Sequence, residues 1–257
     1  MGDEPKPSRT RTFGAAVAIG ALLANLAVQV VMSFAVVYLI RACYGLGGAQ
    51  LTKQALSLKL RQDFILPLGL FTILPGTYVT YFIARRFFPG SLRDGVLEPL
   101  GWKSCPTRTL WLGAAAGGAI ILFVPPLIQY LFPPGAQNAP SPLMHLAVSS
   151  SWGLFQVATL GVLVAPICEE FVFRGVLYSG VAKSWGKAAG AVVTTLLFTL
   201  AHAPEAKAYL PALIGVACFG AVAVYARERT GSLAASVAVH TGYNFTIFSL
   251  VALTQHV

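Results

Sequence analysis

The chain has 257 residues, 56% of them hydrophobic and only 11% charged. A soluble domain carries about a quarter of its residues charged, so the composition places this chain in a membrane. The net charge of +9 sits at the ends of apolar runs and forms no stripe, which argues against nucleic acid as a partner and for anionic lipid headgroups.

Residues 1–12 are polar and of mixed charge, and read as a short N-terminal tail. Residues 13–257 read as a single integral-membrane domain: an all-α polytopic bundle of about seven to eight spans. The first span is the unbroken apolar run 13–40, too long for a signal-peptide core. Residues 51–64 carry Lys53, Lys59, Arg61 and Asp63 among leucines and read as an amphipathic segment at the interface. The second span is expected at 64–84, with Pro67 and Pro75 as kinks. A basic loop with Arg85, Arg86, Arg93, Lys103 and Arg108 follows. The third span, 110–132, holds Gly113 and Gly117, a small-xxx-small surface for close helix contact, and Pro125-Pro126 is expected to break or kink it.

Residues 133–149 form a loop without charge. The fourth span runs from 150 to about 182, the fifth from 188 to 203, the sixth from 209 to 226 and the seventh from 232 to about 253. With the N-terminus inside, twelve Lys and Arg side chains fall on the cytoplasmic side against five outside. The positive-inside rule therefore favours a cytoplasmic N-terminus. The four cysteines, Cys43, Cys105, Cys168 and Cys218, have no metal-like spacing.

Ionisable residues within the spans are few, and at membrane depth they are costly enough to mark function. The fourth span carries Glu169, Glu170 and Arg174. Glu170 and Arg174 are four apart and can pair on one helix face, whereas Glu169 lies about 100° round the helix and is left free. The fifth span carries His202 after Phe198, and the seventh carries His240 and Asn244 one turn apart. Glu169 and His202 are nearly equidistant from the turn near residue 185, so a hairpin sets them level. His240 is only about ten residues past its own turn, a mismatch that a protruding hairpin or a tilted helix would absorb. Phe171, Phe173 and Phe198 read as packing.

A glutamate flanked by two imidazoles suits activation of water, with His and Asn donors for an oxyanion. The same set suits Zn²⁺ held by two His and one Glu. There is no HExxH, and Asp3, Asp63 and Asp94 all lie outside the spans, which removes a paired-aspartate protease. No serine elbow accompanies a histidine.

The ordered motifs Glu169-Glu170-x-x-x-Arg174, Phe198-x-x-x-His202 and His240-x-x-x-Asn244 resemble the CAAX protease and bacteriocin-processing family of intramembrane endopeptidases. That family includes the type II CAAX prenyl endopeptidases. The resemblance covers about residues 150–250, the expected catalytic core. It implies an endopeptidase, usually described as a metalloprotease, acting on a membrane-associated or lipidated peptide or protein. It further implies Glu169 as the base, His202 positioning the water or completing a metal site with Glu169 and His240, and His240 and Asn244 at the oxyanion. Glu170 and Arg174 would support the helix. The short tail and compact length point to a bacterial cytoplasmic membrane. Two other readings are a non-catalytic bacteriocin-immunity or binding protein on the same scaffold, and a proton or cation transporter. No inverted repeat supports the transporter.

Overall fold

The computed structural model describes residues 13–43, 53–87, 97–135, 150–206 and 209–254. Among them there is no strand. They form seven long helices: α1 (Ala15–Cys43), α2 (Lys53–Phe87), α3 (Thr107–Leu131), α4 (Ser151–Trp185), α5 (Lys187–Ala201), α6 (Ala212–Thr230) and α7 (Leu233–Thr254). A 3₁₀ turn, Glu98–Leu100, precedes α3. Five of the seven, α1, α2 from Phe64 onward, α3, α4 and α7, are long and apolar enough to cross a membrane. The other two fall short for separate reasons. Helix α5 is apolar but has 15 residues, fewer than the ~20 that a hydrocarbon core requires. Helix α6 ends on Arg227 and Arg229.

The tail at 1–12 and most of the uncharged loop, from 136 to 149, lie outside the described residues, as does Lys207. The amphipathic segment joins the second span in one helix, and the boundary survives as a break at Phe64 (φ −130°, ψ 22°). The break frees the N–H of Leu66, which donates to Gln156 Oε1 of α4 at 3.2 Å. Pro125-Pro126 does not end α3, which continues to Leu131. Membrane helices tolerate proline where neighbouring groups take up the freed backbone polar atoms. At the end of the helix, beyond the prolines, the Tyr209 hydroxyl donates to Phe132 O at 2.6 Å.

Ser150 starts α4, its Oγ accepting the N–H of Gly153 at 2.9 Å. Gly186 (φ +87°) makes the tight turn into α5, and Gly231 (φ +65°) the turn into α7. The small-residue face of α3 is spent inside the bundle, against α7. A Cβ at Gly113 would meet Ala235 O at 3.2 Å, a Cβ at Gly117 would strike Val239 O, and one at Gly242 would strike Ala114 O. Helix α1 lies against the far end of α4, with Gly180 pressed on Ala18 and the Ala15 N–H donating to Ser184 Oγ at 2.9 Å.

Tyr178, not Trp185, is level with the foot of α6, since its hydroxyl donates to Glu228 Oε1 at 2.8 Å. The α4–α5 hairpin thus projects past the α6–α7 turn by about one helical turn or more. That projection absorbs the depth mismatch of His240.

The α3–α7 contact gives a direct expectation. Gly117→Val should lower the thermal midpoint in detergent by an amount equivalent to about 1–3 kcal/mol of overpacking. Gly20→Ala, with nothing within 4 Å of its Cβ, should leave it unchanged. Equal midpoints for the two variants would show that the contact does not hold the bundle.

Candidate active site

Helix α4 brings the two glutamates to the centre of the bundle, and its winding is unusual. Leu160–Val164 and Phe171–Leu177 are wound as π-helix on either side of the short α-helical stretch Ala165–Glu170. Wide turns of this kind release carbonyls from the helix ladder. The Ala165 N–H reaches Leu160 O, so Gly161 O is left free and accepts Asn244 Nδ2 at 2.6 Å. Pro166 has no N–H to offer Val162 O, which accepts the Thr241 hydroxyl at 3.3 Å instead. Two backbone defects on α4 therefore fix α7 in register, with His240 turned inward beside Glu170.

Glu170 and Arg174 are completely buried. A single oxygen, Glu170 Oε1, accepts from Arg174 Nη1 at 3.0 Å and meets His240 Nδ1 at 2.9 Å. The guanidinium also donates to Gly220 O of α6 at 3.1 Å and stacks over the Phe198 ring at 4.3 Å. Phe198 in turn meets Phe173 edge-on at 5.0 Å and the His202 ring at 4.3 Å, so the three phenylalanines do pack, around charged groups.

His202 ends α5, because Pro204 restrains Ala203 from continuing the helix. Its Nδ1 lies 2.9 Å from Phe198 O, an atom that only accepts, so Nδ1 carries the proton. Both histidines thus commit Nδ1 to a partner and turn Nε2 toward Glu169. Glu169 Oε2 is 3.8 Å from His202 Nε2 and 4.0 Å from His240 Nε2, buried and without a hydrogen-bond partner. All six residues singled out in the sequence meet here: Glu169, His202, His240 and Asn244 line one cavity of about 270 Å³, and Glu170 and Arg174 stand behind it.

Sequence reasoning missed several residues. Glu205 lines this cavity and a second one of about 300 Å³ on the other side of Glu169 and His202. Its signal was a carboxylate three residues after His202. Burial pushes its carboxyl above the usual range, with His202 opposing and Glu169 adding to the rise. Asn25 and Gln29 of α1 line the second cavity, and as polar residues within an apolar run they were visible in the sequence. The link from Glu170 to His240 carried no local signal. A larger cavity of about 650 Å³, between α3, α4 and α7, is walled by Trp102, Trp111 and Ile167 and contains none of these carboxylates.

The donor set suits zinc chemically, since histidine ligands commonly present one ring nitrogen and anchor the other. The spacing is wider than zinc requires: ligands at about 2.0–2.1 Å in a tetrahedron stand about 3.3 Å apart. Both imidazoles would have to close on Glu169. Among the described residues, no three His, Cys, Asp or Glu side chains already stand at metal-holding distances. A water with hydrogen bonds of about 2.8 Å bridges the observed gaps as they are.

Residues 151–246 match the family model described as type II CAAX prenyl endopeptidase Rce1-like. Over those residues the chain is similar to the CAAX endopeptidases. The match covers the site and leaves α1, α2 and α3 outside it. No curated protein and no solved structure matches. The motif resemblance and the family match therefore coincide on one segment, and the family that the model describes is one of endopeptidases.

Removing one member of the buried Arg174–Glu170 pair leaves a buried charge uncompensated, at a cost of about 3–5 kcal/mol. Glu170→Gln should therefore lower the thermal midpoint in detergent markedly. Glu169→Gln, at an oxygen with no bond to lose, should shift it far less. Similar shifts would deny the two glutamates their separate roles.

Proposed function

We propose that the chain is an intramembrane endopeptidase in which Glu169 activates a water for attack on a peptide carbonyl of a membrane-associated or lipidated substrate. The observation that carries this reading is Glu169 Oε2, buried and unbonded, with two imidazole Nε2 atoms at 3.8 and 4.0 Å. An unpartnered buried carboxylate oxygen is costly to hold, and a single water satisfies it.

In this mechanism the water donates one O–H to Glu169 and the other to His202 Nε2. Glu169 takes the first proton as the oxygen attacks the carbonyl carbon. The carbonyl π pair becomes an oxyanion, which accepts from His240 Nε2 and from the second amide N–H of Asn244. In this step His240 donates at Nε2 as the imidazolium, with its Nδ1–H held by Glu170 Oε1 at 2.9 Å. When the C–N bond breaks, Glu169 returns its proton to the departing amine. Zn²⁺, held by Glu169, His202 and His240 after closure, would supply a Lewis acid that lowers the pKa of the water. The proposal uses the spacing as it stands and needs no metal.

The reading places the chain in a bacterial cytoplasmic membrane with its N-terminus cytoplasmic, α5 and α6 completing a seven-span bundle. The weight of Lys and Arg on one side supports that orientation.

Purified protein should cleave a lipidated reporter peptide. Glu169→Gln should lower kcat by at least about 10²-fold, as for loss of a general base, with the fold retained. Undiminished cleavage by the variant would overturn the mechanism. Exhaustive chelation should leave wild-type turnover intact. Loss of turnover, restored by stoichiometric zinc, would instead make the two histidines and Glu169 metal ligands.

A further inference from the structure

Helix α1 is apolar except for a few polar residues, two of which sit one turn apart at 25 and 29. Asn25 is 2% exposed and its carboxamide is used by the fold. Nδ2 donates to Thr80 Oγ1 of α2 at 3.2 Å, and Oδ1 accepts from Gln29 Nε2 at 2.7 Å. This is the expected use of an amide between membrane helices. Gln29 differs. Its Cγ packs beside Gly76 of α2, but its only described side-chain hydrogen bond goes to Asn25 on its own helix. That bond fixes the orientation of the carboxamide and leaves Oε1 and the second N–H available.

Gln29 half-opens onto the cavity of about 300 Å³ whose walls also include Glu169, His202 and Glu205. Holding a primary amide at membrane depth without using all its hydrogen bonds costs free energy, and the helix contact is already made by Asn25. The opposite cavity holds more rings, with Phe198, Phe219, Tyr243 and Phe248 beside Glu205, His240 and Asn244. Glu169 and His202 belong to both walls, so a chain passing the carboxylate has a ring-lined space on one side and an amide-lined space on the other. No Lys or Arg is among the residues lining the amide side.

We propose that Gln29, oriented by Asn25, hydrogen-bonds the backbone of an extended peptide beside Glu169. The amide-lined cavity is then the subsite for the polar side of the scissile bond. A carboxamide offers one acceptor and one donor, which match the N–H and C=O of a single residue in an extended strand. The inference rests on the peptidase reading and names a substrate-positioning residue for it, on a helix outside the family match. With the carboxylates of Glu169 and Glu205 in that wall and no Lys or Arg among its described residues, the cavity suits an internal stretch of peptide better than one ending in a free carboxylate two or three residues past the bond.

The test measures binding, so it does not depend on turnover. The probe is a palmitoylated, fluorescein-labelled nonapeptide with an amidated C-terminus and a reduced, non-cleavable central bond. It is titrated against the detergent-solubilised full chain and followed by anisotropy. Variants of the probe carry one backbone N-methyl group at each position in turn. In wild type, N-methylation at one position next to the central bond should weaken binding about five- to tenfold, the loss of a single hydrogen bond. Gln29→Leu should weaken the unmodified probe by a similar factor, and in that variant the N-methyl penalty should vanish. Gln29→Met repeats the test should the leucine variant misfold. An equal penalty in variant and wild type, no sensitive position, or no saturable binding would each overturn the proposal. A probe ending in a free carboxylate should bind more weakly than the amidated one, and tighter binding would also count against it. If Glu169→Gln cleaves reporters normally while the Gln29 result holds, the catalytic mechanism fails and the peptide site stands.

Discussion

One oxygen organises this molecule. Glu170 Oε1 holds Arg174 on its own helix and His240 on α7, and through Arg174 it reaches the backbone of α6 at Gly220. Neither Glu170 nor Arg174 touches solvent. A buried ion pair gains little over a well-packed apolar contact, but breaking it is expensive. Such a pair therefore enforces one arrangement and excludes alternatives more than it adds stability. The arrangement enforced here brings the two imidazoles to the second glutamate. Phe198 and Phe219 stack against the guanidinium and the two histidine rings, and they keep the charged cluster dry.

The backbone of α4 contributes as much as its side chains. A regular α-helix across the membrane presents no free carbonyl, so α7 could slide against it with little penalty. The π-wound stretch at Leu160–Val164 and the missing N–H of Pro166 open two carbonyls, and Asn244 and Thr241 close them. Asn244 is thereby both a register pin and a neighbour of the carboxylate. The proposed oxyanion role uses the N–H that the pin leaves over.

The motif residues were legible because charge at membrane depth is rare and costly, so Glu169, Glu170, Arg174, His202 and His240 stood out against apolar runs. Helix positions were legible from length and hydropathy, and the free Glu169 beside a paired Glu170 followed from helical geometry alone. The depth of His240 was not fixed by counting residues, because the projection of the α4–α5 hairpin depends on the Tyr178–Glu228 contact between distant helices. The π-helical winding left no compositional trace apart from Pro166. The persistence of α3 through Pro125-Pro126 was not legible either, since a proline pair reads as a break or kink in a single helix. Asn25, Gln29 and Glu205 were visible but carried no spacing that tied them to the motifs. Only the fold places them beside Glu169.

The two cavities give the site a direction. On one side the carboxylate faces four rings, His240 and an anchored asparagine, the wall to which the proposed mechanism assigns the oxyanion. On the other it faces the carboxamides of Asn25 and Gln29, groups that exchange hydrogen bonds with a peptide without neutralising it, and Glu205 stands at both. Attack on a carbonyl needs both: firm charge stabilisation at one atom, and orientation of the chain on which that atom sits. A binder would gain from the amide side but has no use for an unbonded carboxylate oxygen between two imidazoles. A proton relay would use the carboxylate but gain nothing from a fixed amide beside it. The proposed endopeptide hydrolysis has a use for both walls.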